Sequence, residues 1–413
     1  MDEIIGMNNI KNANKSTIDW ISKGYRKDGS SYPLKTWRNL ECVLNKYNIK
    51  LKYNEVTKEM IGEPPFDDLD NLVTDIHTLN IEEFLNMSRE QVYSSIYKIA
   101  DKNSFNPFVD MIKENENTNY DLIHELFKCI KINDDNEENY NYYFTLFTKW
   151  CLNLVKMANN TIDKEYRSEG ILVFQGRQGC RKTTFVQNLM PVKGMYKGDK
   201  SLNPEKTDSV IENTKYILVE WGELDHTLKG EQSKLKQYIT RSIDEYRSPY
   251  ARSPKKYPRI TSYIGTVNRK DFLKDETGSR RYWIIPVKGF DFKKLKAIDK
   301  KKLWGAVYSL WKSGTIKDYL EDDEMEKLND MNAEYNFKND ISYVIDEKIR
   351  WDMPKEEWCV YGITEIADYL MVKEKKSLKI ELEKKGLEYK VYRIGPKLKK
   401  GFCIPRFESK FYY

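Results

Sequence analysis

A chain of 413 residues with 40% hydrophobic and 13% aromatic content can fill several packed cores, and its 32% of charged residues are mixed in sign. That balance excludes a wholly disordered chain. No apolar run approaches the ~18 residues of a membrane-spanning helix, which excludes an integral membrane protein built on such helices. The polar start, MDEIIGMNNIKNANK, has no apolar stretch of a secretion signal. The six cysteines are scattered, none in a CxxC pair, and with three histidines they offer no zinc site. The expectation is a reduced, cytoplasmic protein of two to three domains.

In chain order, residues 1–30 read as a loosely ordered polar arm. A mostly helical domain is expected over 31–160. It has a helix over 34–47, two short strands over 49–61, and helices near 67–79, 88–98, 120–130 and 137–157. The Ser88 to Gln91 spacing is that of a capping box, and Asn106-Pro107 reads as the end of a unit. From Glu169 the pattern changes. Short apolar runs at 171–174, 216–219 and 260–267 read as buried strands, with helices over 183–189 and 231–242 between them. Alternation of this kind argues for an α/β domain with a largely parallel sheet over 161–335. The sheet signal fades after Pro286, where helices follow over 303–311 and 321–335. A small α+β unit is expected over 340–413.

The stretch GRQGCRKT, residues 176–183, directly follows the first buried strand and opens a helix. Backbone N–H groups of such a loop cradle phosphates at the positive helix end. Gly176, Gln178, Gly179, Cys180, Arg181, Lys182, Thr183 and Thr184 are the candidate nucleotide-binding residues. Lys182 would reach the β- and γ-phosphates and Thr183 would ligate Mg²⁺. The usual pattern has Gly immediately before the Lys. Arg181 stands there, which requires a negative φ or a re-routed loop.

The second strand ends in acids, Glu220-Trp-Gly-Glu223-Leu-Asp225. Glu220 is expected to hold Mg²⁺ with Thr183, and Glu223, ahead of Asp225, to orient the attacking water. The third strand ends in Asn268, which would reach the γ-phosphate. Arg280 and Arg281 follow a Gly-containing turn. They suit an arginine finger, although an arginine pair bound to surface carboxylates has the same sequence.

Two stretches are rich in basic residues. Over 241–259 six of them face only Asp244 and Glu245, interleaved with Tyr and Pro. Residues 253–258 read as a hairpin tip, with Lys255 and Lys256 on it. Residues 372–400 carry a net charge of +7, more than the whole chain's +6. A localised patch of this kind points to nucleic acid, and a solvated lysine-rich face has the same composition.

At these residues the chain resembles the virulence-associated protein E family, phage- and island-borne P-loop ATPases related to superfamily 3 helicases within the AAA+ class. The resemblance rests on GRQGCRKT, VEWGELD, DEYRSPYARSPKKYPR and GTVNRKDFLKDETGSRRYW, in that order. It extends upstream to WRNLECVLNKYNIKLKYNEVTKEMIG and NPFVDMIKE and downstream to KKLWGAVYSLW, covering roughly 35–335. It implies an AAA+ core with ATP and Mg²⁺ as cofactors. It further implies a hexameric ring that moves along DNA in a bacterial or phage-infected cytoplasm.

By position, Lys182 and Thr183 bind nucleotide and Mg²⁺, Glu220 and Glu223 are the Walker B acids, and Asn268 is the sensor. Arg280, with Arg281 second, is the finger acting on a neighbour's ATP. Lys255 and Lys256 line the central channel around single-stranded DNA. The C-terminal unit resembles a winged helix, with Lys376, Lys379, Arg393, Lys397, Lys399 and Lys400 placed to meet duplex DNA. No primase module is read ahead of the ATPase in this sequence, so any priming is expected to need a separate protein. The alternatives are a nucleotide-gated regulator or defence ATPase without unwinding, and a DNA-binding module whose ATPase site has decayed.

Overall fold

A computed structural model of the chain describes residues 17–192, 194–198, 206–222, 224, 232–247, 253–273, 276–336 and 340–407. The apolar strand Ile171–Gln175 lies inside a six-stranded sheet. Across the sheet the order is Ile130–Ile132, Tyr282–Phe290, Ile171–Gln175, Ser262–Val267, Leu218–Trp221 and Tyr196–Lys197. Every neighbouring pair is parallel except the first, where Ile130–Ile132 runs antiparallel to Tyr282–Phe290. The near-continuous apolar runs of the inner strands follow from burial on both faces.

The outermost long strand does not fade at Pro286 but runs on to Phe290. Pro286 has no N–H to donate, yet its carbonyl accepts from the Asn133 N–H at 2.9 Å. The register with Ile130–Ile132 shifts just beyond it, between Val287 and Gly289.

The division expected at residue 160 does not coincide with a gap between cores. Pro107 opens a helix, Pro107–Glu114, instead of closing a unit, because its missing N–H is no loss at a first helical position. Asn106 caps that helix by accepting from the N–H groups of Phe108 and Val109. The helix Glu137–Ala158 is buried around its whole circumference from Leu146 to Ala158, and that part of it has no solvent face. Its Trp150 indole donates to the Tyr263 carbonyl at 3.2 Å. Residues from Phe108 to Ala158 therefore share one core with the sheet.

A separate core gathers Leu40, Val43, Ile76, Val92 and Ile96. It joins helices Trp37–Lys46, Leu69–Glu82 and Arg89–Lys102 to a three-stranded sheet of Glu59–Glu63, Lys50–Asn54 and Ser104–Phe105. The Ser88–Gln91 capping box is present. Part of the expected arm is a hairpin, Lys23–Tyr25 with Ser31–Pro33. It is tied to the first helix by Asn39, whose buried amide bonds Ser22 and Leu34.

The chain divides into two compact units, one of residues 1–270 with 277–332 and one of 271–276 with 333–413. The second unit runs helix Asp340–Lys348, strand Trp358–Tyr361, helices Ile363–Leu370 and Lys375–Lys384, then strands Lys390–Ile394 and Lys397–Pro405. Its three strands form one sheet with Lys397–Pro405 in the middle. Ile345, Ile366, Leu378, Leu382, Phe402 and Ile404 form its core. Among the described residues no helix is long and apolar enough to cross a membrane.

Candidate nucleotide site

The loop after Ile171–Gln175 is fixed by close backbone packing. The Gly176 N–H donates to the Val267 carbonyl at 3.0 Å. A Cβ on Gly176 would stand 2.1 Å from the Val287 carbonyl oxygen, so no larger residue fits. Gly179 takes a positive φ of +82°, and Gln178 is exposed. The following helix, Lys182–Gln187, is anchored by Phe185, which stacks on Phe290 at 4.4 Å and meets Phe174 edge-on at 5.7 Å.

Arg181 departs from the expectation of a negative φ. It sits in the left-handed region at φ 67°, ψ 37°, the conformation that glycine adopts freely. Its guanidinium lies 5.7 Å from the centre of the Phe292 ring. A side chain held there costs on the order of 1 kcal/mol of backbone strain.

The Lys182 ammonium is turned into the loop and buried. It donates to the Gly176 carbonyl at 2.6 Å, the Arg177 carbonyl at 3.2 Å and Asn268 Oδ1 at 2.9 Å. Cys180 Sγ lies 3.7 Å away. Burial lowers the lysine pKa from its ordinary value, partly offset by Cys180 and the Glu220 charge. Thr184 is exposed, and its carbonyl accepts from the Asn188 amide at 2.7 Å.

Glu220 is fully buried on the strand Leu218–Trp221. One carboxylate oxygen accepts the Thr183 hydroxyl at 2.7 Å and the Thr266 hydroxyl at 3.0 Å. The other accepts the Tyr196 hydroxyl at 2.5 Å. Lys182, Thr183, Glu220 and Asn268 are thus brought together at the carboxyl ends of three adjacent strands. Thr266 and Tyr196 were not among the expected residues. Thr266 is legible in retrospect, since it lies two residues before Asn268 and shares its strand face. Tyr196 comes from a two-residue strand with no periodicity to read. Glu223 and Asp225 lie outside the described residues.

Arg280 and Arg281 stand at the opposite end of the strands. Tyr282 pairs in parallel with Ile171, the first residue of the strand whose far end carries the loop. Five residues at ~3.3 Å each separate the two ends by about 16 Å. Asn332 fixes the arginine turn by donating to the carbonyls of Ser279 and Tyr282. Arg281 is part-buried, its Nε has no partner among the described residues, and burial next to Arg280 lowers its pKa. Among the described residues neither arginine pairs with a carboxylate.

The basic stretch forms a hairpin, Ile243–Tyr246 with Lys255–Pro258. Residues 253–258 therefore supply one strand of it and not its tip, and residues 248–252 lie outside the described residues. Its base is pinned by fully buried Arg259, which pairs with both oxygens of Asp244, donates to the Tyr238 carbonyl and lies over the Tyr238 ring. Lys256 is exposed opposite Glu245, and Lys255 pairs with Asp101 at 3.1 Å. In the second unit Lys379 pairs with Glu383 and Lys399 with Glu365. Lys400 lies over the Tyr389 ring, while Lys376, Arg393 and Lys397 are exposed.

A carboxylate, a threonine hydroxyl and a buried lysine beside a glycine cradle fit Mg²⁺ held with a polyphosphate, since that ion keeps several waters and needs few protein ligands. Among the described residues no cluster of three His, Cys, Asp or Glu residues is placed to hold a metal ion.

Comparison with known proteins adds the family. Solved structures of the C-terminal region of NrS-1 in its apo form are similar over much of the chain. One is 12% identical, with a TM-score of 0.47, covering 88% of this chain and 98% of that one. A second, its A form, is 11% identical with a TM-score of 0.46, covering 90% and 100%. No curated protein matches. The pattern of the virulence-associated protein E-like domain matches residues 112–337. That span is more than half of the chain and includes the loop, Glu220, Asn268 and both arginines, and the chain accordingly belongs to the virulence-associated protein E-like family.

Proposed function

We propose that this protein is an ATP-driven DNA helicase that works as a ring, most simply a hexamer, in replication of a phage or mobile element. The observation that carries the reading is the joining of Lys182 to Asn268 and of Thr183 to Glu220 across three strand ends. In this reading the loop N–H groups and Lys182 take the phosphates of ATP, the lysine leaving its loop carbonyls for them. Thr183 and Glu220 hold Mg²⁺, which when bound neutralises charge on the β- and γ-phosphate oxygens. Asn268 orients a water, Glu223 accepts its proton, and the γ-phosphoryl passes to that water, leaving ADP and phosphate.

Arg280, first, and Arg281 face a neighbouring subunit's ATP. Their place at the far end of the strands and their lack of carboxylate partners among the described residues support action in trans over action in their own site. The helix–strand–helix–helix–strand–strand order of the second unit supports a winged helix that meets duplex DNA through Lys376, Arg393 and Lys397. The 243–258 hairpin would meet single-stranded DNA. Phosphate release measured with and without single-stranded DNA, paired with a strand-displacement assay, tests the whole reading. Stimulation without displacement would leave a nucleotide-gated regulator. No hydrolysis at all would leave a DNA-binding module with a decayed site, the alternative that the strained Arg181 favours.

A further inference from the structure

The residue on the second oxygen of Glu220 belongs to no motif of the sequence. Tyr196 pairs in parallel register with Leu218, and Glu220 is the next residue on the same strand face. The edge strand is held there by the Leu218 N–H donating to the Met195 carbonyl at 3.0 Å. The phenol therefore reaches along the strand to Glu220 Oε2. Room for its hydroxyl is kept by Gly198, where a Cβ would stand 2.3 Å from the phenol oxygen. Among the described residues Tyr196 is the sole donor to Oε2, while Oε1 has two donors, Thr183 and Thr266.

We propose that Tyr196 is a positioning residue for the Mg²⁺ site, an inference that rests on the nucleotide-binding reading above. A fully buried carboxylate held by one oxygen can still turn about its last bond. Held by both, it cannot. The Tyr196 bond keeps Oε1 on Thr183, so the threonine proton points at Glu220 and its lone pairs are left facing a cation. Without the phenol hydroxyl, Oε2 is a buried acceptor with no donor, a costly state. The carboxylate is then free to turn, and the threonine loses its orientation.

The test is Mg²⁺ titration of a fluorescent ADP analogue bound to the full chain. Tyr196→Phe keeps the ring and its packing, and a thermal melt checks that it folds. Its metal-free nucleotide affinity is expected within twofold of the parent. The Mg²⁺ concentration giving half of the metal-dependent gain in affinity is expected to rise about tenfold, the effect of one hydrogen bond to a charged group. Counting bound Mn²⁺ by electron paramagnetic resonance should show the same shift without turnover. Gly198→Ala, which pushes on the hydroxyl and leaves the ring, should shift the midpoint in the same direction by less. It also serves if Tyr196→Phe does not fold. Unchanged Mg²⁺ and Mn²⁺ midpoints in a variant whose parent binds nucleotide would overturn the role of Tyr196 and leave the site reading intact. A parent that binds no nucleotide at any Mg²⁺ concentration would overturn both.

Discussion

The two ends of the central sheet are built on opposite terms. At the carboxyl ends of the strands the polar groups are bonded to one another: Lys182 to Asn268 and the loop, Glu220 to Thr183, Thr266 and Tyr196. At the amino end Arg280 and Arg281 are brought together by a fixed turn, and among the described residues Arg281 Nε is buried without an acceptor. An unsatisfied buried donor costs about 1–3 kcal/mol. At the first end the described polar groups satisfy one another. At the second, among the described residues, no acceptor meets Arg281 Nε, and the proposed action in trans draws on that difference.

The largest expected effect tests the carboxyl end. Lys182→Ala should reduce phosphate release to background, since Lys182 is the cation turned into the loop. Its melting temperature should stay near that of the parent, because the lysine bonds loop carbonyls that solvent can serve instead. Turnover that survives the change would mean that the lysine is a structural plug of its own loop.

The next tests the amino end. Arg280→Ala should lower turnover by about 10³-fold or more, as expected of an arginine finger, while nucleotide binding is kept. Lys is not expected to substitute, because it lacks the planar fork. Mixed with Lys182→Ala chains, inactive by themselves, the Arg280→Ala chains should recover part of the activity, measured as phosphate release per mixed ring. Full activity of Arg280→Ala alone would shift the role to Arg281 or dissolve the contrast between the two ends.

A smaller effect concerns the hairpin, which belongs to neither end. Lys255→Ala with Lys256→Ala should leave basal hydrolysis unchanged and flatten the salt dependence of single-stranded DNA binding, by about one unit of slope for each phosphate no longer neutralised. Lys255 is engaged with Asp101, so the pair is exposed and weak and DNA can displace it. A salt slope equal to the parent's would take this hairpin out of the DNA path.

What was legible in the sequence was local. The strand, glycine loop and helix over 171–187 lie within one short stretch, and strands ending in Glu220 and Asn268 announce themselves by apolar runs. What was not legible depends on partners far along the chain. The helix Glu137–Ala158 carries charged residues, Lys149 and Lys156, whose partners lie far along the chain. They are buried against Glu324, Glu169 and Asp318, so the helix belongs to the sheet's core. Tyr196 has no pattern around it, and the sequence around Lys255 reveals nothing of Asp101. Pro286 reads as a break because its missing N–H is visible and its accepting carbonyl is not.

The smallest effect concerns the one strained position of the carboxyl end. Arg181 holds a left-handed conformation that disfavours any Cβ, and part of the cost is offset by the guanidinium over Phe292, an exposed interaction worth about 0.5–1 kcal/mol. Arg181→Gly removes the strain and the cation–ring attraction together, so thermal stability should stay within about 0.5 kcal/mol of the parent. Arg181→Ala keeps the Cβ and gives up the attraction. It should be the least stable of the three, by about 1 kcal/mol relative to the glycine variant. Denaturant unfolding of the three chains decides it. An alanine variant as stable as the glycine one would show that the loop relaxes freely at this residue, and that the strain does not separate this end of the sheet from the other.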